Sequence, residues 1–228
     1  MARQERAVRT RQAILVAAAE VFDELGYEAA TIAEVLKRAG VTKGALYFHF
    51  ASKEELAQGV LAEQVHALPA VPPQDLKLQQ SLDQALLLAV LLKPDTGDPL
   101  VQGGVRLIVD QGSSKDGIDR RVPMEAWVAH TLDLLQEAAE RGEVLPHVDL
   151  KSLAVLLVGA FTGVQVLSNI LTGRTDMTER VTDLYQQLIP SVAMPSVLAR
   201  MDFDPARGAK LLAVMQQKRD EAAAEVAG

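Results

Sequence analysis

The stretch VTKGALYFHF, residues 41–50, sets Lys43, Gly44, Tyr47 and His49 beside Phe48 and Phe50, and so spends three of the chain's nine aromatic residues within four positions. A lysine and a tyrosine one helical turn apart carry the groups that reach a guanine edge and a phosphate oxygen in a DNA groove. Two readings fit these residues. Either they form a rigid helix that presses Lys43 and Tyr47 against something outside the protein, or they form an aromatic cluster that stabilises a helical corner. At about 100° per residue, Lys43 and Tyr47 share one stripe, Val41, Ala45 and Phe48 lie opposite, and Leu46 and Phe50 fall at the edge of the outer stripe. The expectation is that Phe48, with Val41 and Ala45, anchors this helix on the core, while Gly44 lets the helix start approach another backbone closely.

Other chemistries find little support. There is no cysteine, which excludes disulfides, thiolate metal sites and cysteine nucleophiles and fits a reducing compartment. His49, His66, His130 and His147 form no metal-ligand spacing, and neither a G-x-S-x-G elbow nor a phosphate-binding glycine loop occurs. No metal, no cofactor and no enzymatic activity are expected. The start of the chain is charged and lacks the apolar segment of a signal peptide, and the longest uninterrupted apolar runs are about half the length needed to cross a bilayer, so no membrane association and a cytoplasmic location are expected.

The net charge of −7 hides an asymmetry. Residues 1–53 hold eight Lys/Arg against six Asp/Glu, whereas the other 175 residues hold fifteen against twenty-four. Four arginines, Arg3, Arg6, Arg9 and Arg11, fall in the first eleven residues. Local charge decides whether a surface meets phosphate, and here the basic end adjoins the aromatic stretch.

Helical periodicity runs nearly throughout, giving an all-α class. Ile14, Ala18, Val21, Phe22 and Leu25 mark one apolar stripe of a helix that stops at Gly26. Thr31 and Glu34 form a capping box for a short helix ending at Gly40, Thr42 caps the next, and Ser52 with Glu55 opens a helix running to about Leu68. Two short helices separated by a tight turn are the helix-turn-helix arrangement, whose second helix enters a major groove. Further helices are expected near 75–92, 99–111, 122–141, 149–171, 177–190 and 204–225. The 149–171 segment is apolar almost all round and must be covered on both sides, either at the centre of its domain or as half of a dimer interface with 177–190.

Residues 1–56, and above all GYEAATIAEVLKRAGVTKGALYFHFASKEEL, resemble the DNA-binding domain of the tetracycline-repressor (TetR) family of dimeric regulators. The resemblance implies a DNA-binding domain over 1–52 and a ligand-binding and dimerisation domain over 53–228. It implies roles for Thr42, Lys43, Gly44 and Tyr47 in the recognition helix, for Thr31 and Lys53 near phosphates, and for the N-terminal arginines, Arg3 among them, as an arm along the backbone. His49 is expected to end the recognition helix beside phosphate or to cap it.

The likeness continues. DRRVPMEAW, GEVLPHV and LIPSVAMPSVLARMDFDPARGAKLL are similar to the γ-butyrolactone autoregulator receptors of antibiotic-producing filamentous bacteria, with KPDTGDP at 93–99 as a point of departure. This resemblance implies a repressor that binds operator DNA as a homodimer and is released by a γ-butyrolactone or related small-molecule ligand, controlling secondary metabolism. Trp127, at the subfamily's R-x-P-x-x-x-W position, is the candidate lining residue; its other reading is a core aromatic. Gln64, Thr162 and Gln165 are polar residues in apolar runs that suit a lactone carbonyl or hydroxyl, with helix-surface or backbone-bonded roles as the alternative. A pseudo-receptor responding to an antibiotic or other apolar small molecule is a second reading, against which the acidic pI near 5.2 argues. From another class, a small-molecule carrier or enzyme would not bind DNA.

Overall fold

The computed structural model describes residues 2–110 and 116–227, with the side chains of residues 2, 3, 66, 219 and 222–227 outside the description. The described residues form eleven α-helices and one 3-10 turn and no strand, in keeping with the all-α expectation. In chain order these are α1 (Ala2–Ala29), α2 (Ile32–Ala39), α3 (Lys43–His49), α4 (Lys53–Ala67), α5 (Lys77–Leu91) and α6 (Pro99–Val109). There follow α7 (Arg121–Glu140), α8 (Leu150–Thr172), α9 (Met177–Leu188), the 3-10 turn Ile189–Ser191, α10 (Pro195–Leu198) and α11 (Arg207–Ala227). The four-residue α10 has no counterpart among the helices read from periodicity, since four residues carry no period. Two compact units result: Met1–Leu68 with Gly97–Met124, and Pro69–Thr96 with Glu125–Gly228.

In the first unit, local caps set the helix ends. Thr31 Oγ1 accepts from the Glu34 backbone at 3.3 Å while a Glu34 carboxylate oxygen accepts from the Thr31 N–H at 2.9 Å, and Gly40 closes α2 with φ 65°. Thr42 and Ser52 accept from the third residue of α3 and α4 in the same way. The long first helix breaks at Gly26, where φ 75° and ψ 167° leave helical geometry. Glycine is needed there twice over: the backbone is left-handed, and a Cβ would stand 2.6 Å from the Asp110 carboxylate that accepts the Tyr27 N–H.

The core of this unit is built from α1 (Ile14, Leu15, Ala18, Val21, Phe22), α4 (Leu56, Ala57, Val60, Leu61) and Leu100 and Leu107 of α6. Asp98 caps α6 through the N–H groups of Leu100 and Val101, with Pro99 at the first helical position, so KPDTGDP ends as a helix start. Two adjacent glycines let α6 sit directly on its neighbours. A Cβ on Gly103 would collide with the backbone of Ala19 in α1, and one on Gly104 with the side-chain amide of Gln64 in α4.

In the second unit the enclosed helix is α5, buried on nearly every side from Leu78 to Leu91. Its first turn lacks a side-chain cap of its own; instead the buried Glu143 carboxylate accepts from Lys77 N and Leu78 N, each at 2.9 Å. At its far side Asp83, fully buried, takes a bidentate pair from Arg207 at 2.7 and 2.8 Å, and a Cβ on Gly208 would stand 2.5 Å from the Leu86 carbonyl. The end of α8 is tied to α9 by Asp176, which accepts from Ser168 (2.6 Å), Thr172 (2.7 Å) and Arg180 (2.7 Å). These hydrogen bonds, Ser168 first, hold the Asp176 carboxyl down at about 2. The central position considered for α8 therefore belongs to α5. Helix α8 leaves Val155, Leu156, Leu167, Ile170 and Leu171 exposed.

The zero clearance at Gly103 yields a stability expectation. Gly103→Ala forces α6 away from rigid α1 backbone and should destabilise by about 1–3 kcal/mol, despite the better helix propensity of alanine, as read by urea denaturation.

Candidate nucleic-acid interface

A seven-residue helix makes too few internal hydrogen bonds to stand alone, so its orientation is set by what it buries. In α3 that is Leu46, with no exposed surface, and Phe50 just past its end, 3 % exposed. The Phe50 ring fills a slot beside α1 and α4. A Cβ on Gly59 would meet the ring at 3.0 Å and Leu15 at 3.1 Å, and the Arg11 guanidinium lies 5.2 Å from the ring centre.

This corrects the orientation expected from the sequence. Phe48 does not anchor the helix; it is 79 % exposed, the most exposed large apolar side chain among the described residues. Val41 and Ala45 are half-buried, so part of the expected anchoring face does pack. Two apolar pairs one helical turn long compete in this stretch, Ala45 with Phe48 at i, i+3 and Leu46 with Phe50 at i, i+4. The signal that separates them lies nine residues on, in Gly59, which makes room for one ring only.

With Leu46 inward, the outer arc of α3 carries Lys43, Gly44, Tyr47 and Phe48. Lys43 and Gly44 are exposed, Tyr47 is 44 % exposed, and the Lys43 ammonium lies 5.8 Å from the Tyr47 ring centre. Apart from its own chain neighbours and the backbone of α3, no heavy atom stands within 4 Å of the position a Cβ would take on Gly44. His49 is half-buried and meets Phe48 edge-on at 5.0 Å between ring centres. Thr31 and Thr42 are exposed, and each hydroxyl also caps its helix. The side chain of Arg3 lies outside the described residues.

Lys53 is half-buried. Its ammonium lies 4.4 Å from the Tyr27 ring centre and donates to the Glu28 carbonyl at 3.3 Å, at the turn before α2. Tyr27 itself is buried, and that burial, with the charges of Glu54, Asp116 and Glu28, pushes its phenol up to about 12. Around it, the segment leading into α7 is clasped to this unit. Arg120 pairs with Asp116 at 2.6 Å and donates to the carbonyls of Leu107 (2.7 Å) and Asp110 (3.1 Å), which holds the Asp116 carboxyl below its ordinary range. Gln58 pairs with both backbone groups of Asp119, at 3.1 and 3.4 Å. The long-range part of this clasp, Gln58 to Asp119 and the Tyr27 hydroxyl to the Asp116 carbonyl, was not read from the sequence, because those partners stand 61 and 89 positions apart.

The four ligand candidates differ in kind. Gln64, in the first unit, is buried against Gly104, and neither polar atom of its amide has a partner. Gln165 of α8, in the second unit, is buried with the same two atoms unpartnered. Buried amides are ordinarily satisfied, and each of these two leaves one donor group and one acceptor without a protein partner. Thr162 is half-buried and spends its hydroxyl proton on the Val158 carbonyl at 2.9 Å. Trp127 is half-buried in α7, where its carbonyl accepts from Thr131. Among the described residues no cluster of ligating side chains suits a metal ion.

Against known proteins, residues 14–60 match the family described as bacterial regulatory proteins, tetR family. The whole chain is 38 % identical to the A-factor receptor protein of Streptomyces griseus, covering 81 % of that protein. A TetR regulator of Streptomyces fradiae, TylP, has a solved structure that superposes with a TM-score of 0.84 at 58 % identity, covering 91 % of this chain and 97 % of that one. A solved γ-butyrolactone receptor described as ArpA-like gives a TM-score of 0.69 at 29 % identity over 90 % of this chain and 98 % of its own.

Two expectations follow from this geometry. Lys43→Ala should weaken binding to a preferred DNA sequence by about 1–3 kcal/mol and relax the preference, whereas Lys53→Ala should weaken binding to all sequences alike; competition gel shifts separate the two. Gln165→Leu removes an unsatisfied buried amide and keeps its bulk, so the ligand-free protein should gain about 1–3 kcal/mol in denaturant unfolding.

Proposed function

The chain belongs to the TetR family of bacterial regulators, and from that premise we propose that it is a repressor which binds operator DNA as a homodimer and leaves it when a γ-butyrolactone-type signal binds. The observation that carries this reading is the similarity to the A-factor receptor protein along the whole chain, not over the helix-turn-helix alone. The exposed arc of Lys43, Gly44 and Tyr47 supports the DNA half of the proposal. The unpartnered amides of Gln64 and Gln165 support the ligand half, since a lactone carbonyl accepts and a hydroxyl donates. Control of secondary metabolism and a cytoplasmic location come with the same reading.

The open face of α8 supports the dimer. Val155, Leu156, Leu167 and Ile170 lie on it with Gly159 and Gly163, at both of which a Cβ would meet nothing within 4 Å. By length and composition α8 also suffices to cross a bilayer. Gln165 and Ser168 are buried on its inner side, however, which makes it the amphipathic wall of a folded unit with one apolar face left to a second copy.

Release by ligand needs a ligand that binds the DNA-free arrangement better than the DNA-bound one. Displacing α4, which begins beside α3 and carries Gln64, changes the separation of the two α3 helices in a dimer and breaks the half-site spacing of about 34–36 Å, or a multiple of it.

A gel shift on DNA upstream of its own gene, with and without synthetic γ-butyrolactones, tests the reading directly. A salt-sensitive shift abolished by a lactone supports it; release by an antibiotic and by no lactone would make the protein a pseudo-receptor, and no shift at any salt would leave a carrier or enzyme. Trp127→Ala should bind the operator as the wild type does and fail to leave it at the wild type's releasing ligand concentration. Unaltered release would make Trp127 a core residue.

A further inference from the structure

Phe48 is the side chain on α3 that neither the core nor the assigned phosphate and base contacts explain. The ring is 79 % exposed while Leu46 and Phe50, two residues away on either side, are buried. The helix is anchored by Leu46 and Phe50, which turns Phe48 outward with its ring edge-on to His49 at 5.0 Å between ring centres.

Around the outer arc, at about 100° per residue, the order is Lys43, Tyr47, Gly44, Phe48. Gly44 is thus a notch between two rings, with open space where a Cβ would be. A helix with such a notch can bring its backbone low in a groove, and the ring beside the notch then meets the base edges. The arc holds no acidic residue, and α3 has none in its first turn, so the surface around Phe48 suits a polyanion and not an acidic protein partner. In the major groove the apolar feature that a base edge presents is the 5-methyl group of thymine, and phenylalanine is among the side chains that read it by contact.

We propose that Phe48 is a specificity-determining residue of the α3 face, seating its ring against the 5-methyl group of a thymine in the operator's major groove. The inference rests on the operator-binding reading above. It adds a base that Lys43 and Tyr47 do not read: Lys43 supplies a donor to guanine, Tyr47 a hydroxyl to phosphate, and Phe48 an apolar contact that distinguishes thymine from cytosine by a methyl group and not by a hydrogen bond.

The test replaces operator thymines one at a time with deoxyuridine, which deletes the methyl and leaves every hydrogen-bonding group in place. Wild-type protein should lose affinity at one symmetry-related pair of positions, by about fourfold per methyl removed from water. Phe48→Ala should bind the unmodified operator more weakly and show no further loss at those same positions, while Phe48→Leu restores part of the discrimination. Because the side chain is exposed, Phe48→Ala should melt at the wild-type temperature and keep the wild-type oligomeric state. If Phe48→Ala shows the wild-type losses at the same positions, or if wild type tolerates deoxyuridine everywhere, the assignment is overturned. A change in oligomeric state would assign Phe48 to a protein contact instead. Failure of wild type to bind the unmodified operator would overturn the operator-binding reading itself.

Discussion

Everything that the α3 face presents depends on one packing constraint: a helix of seven residues takes its rotation from the slot that receives Phe50. That slot exists because Gly59 has no side chain where α4 passes the ring, and Leu15 of α1 closes it. Leu46 and Phe50 are buried together, the first inside α3 and the second at its C-cap. Lys43, Gly44, Tyr47 and Phe48 are consequently held in one orientation before any partner arrives, and little ordering entropy is lost on binding. The caps at Thr31, Thr42 and Ser52 fix where each short helix starts, but they leave its rotation to the core.

The same economy of space governs α6. Gly103 and Gly104 bring its backbone against Ala19 of α1 and against the amide of Gln64 in α4, with no side chain between to absorb movement. Packed interiors respond to displacement as coupled bodies because they hold no free volume. A shift of α6 is therefore passed to α1 and α4 together. The clasp of Arg120 on Asp116, Leu107 and Asp110, and of Gln58 on Asp119, holds the chain beyond α6 to the same unit.

In the second unit the hydrophobic and the polar accounts are balanced differently. Helix α5 is enclosed, and each polar group on it that loses water finds a partner: its first N–H groups on Glu143, Asp83 on Arg207, Gln79 on the backbone of Asp202. Helix α8 is the opposite case, with apolar residues left uncovered on one side and the Gln165 amide unsatisfied on the other. Both are departures from what a self-sufficient domain shows, and both are met if α8 faces a second copy outward and a ligand inward.

Much of this was legible in the sequence, and the division has a physical basis. Capping residues, glycine stops and apolar periodicity are local, so the helix order, the helix-turn-helix and the openings at Thr31, Thr42 and Ser52 could be read from neighbours within four residues. The outward placing of Lys43 and Tyr47 followed in the same way. What local pattern could not decide was which of two apolar stripes α3 turns inward, because the three-residue step from Ala45 to Phe48 and the four-residue step from Leu46 to Phe50 each return to one helix face. Nor could it show that α6 packs on α1 backbone to backbone, that α5 and not α8 is enclosed, or that Glu143 caps a helix starting 66 residues earlier. Each of those depends on a residue distant in sequence that leaves room or supplies a charge, Gly59 for Phe50, Gly103 for Ala19, Glu143 for Lys77, and such complementarity exists only once the chain has folded.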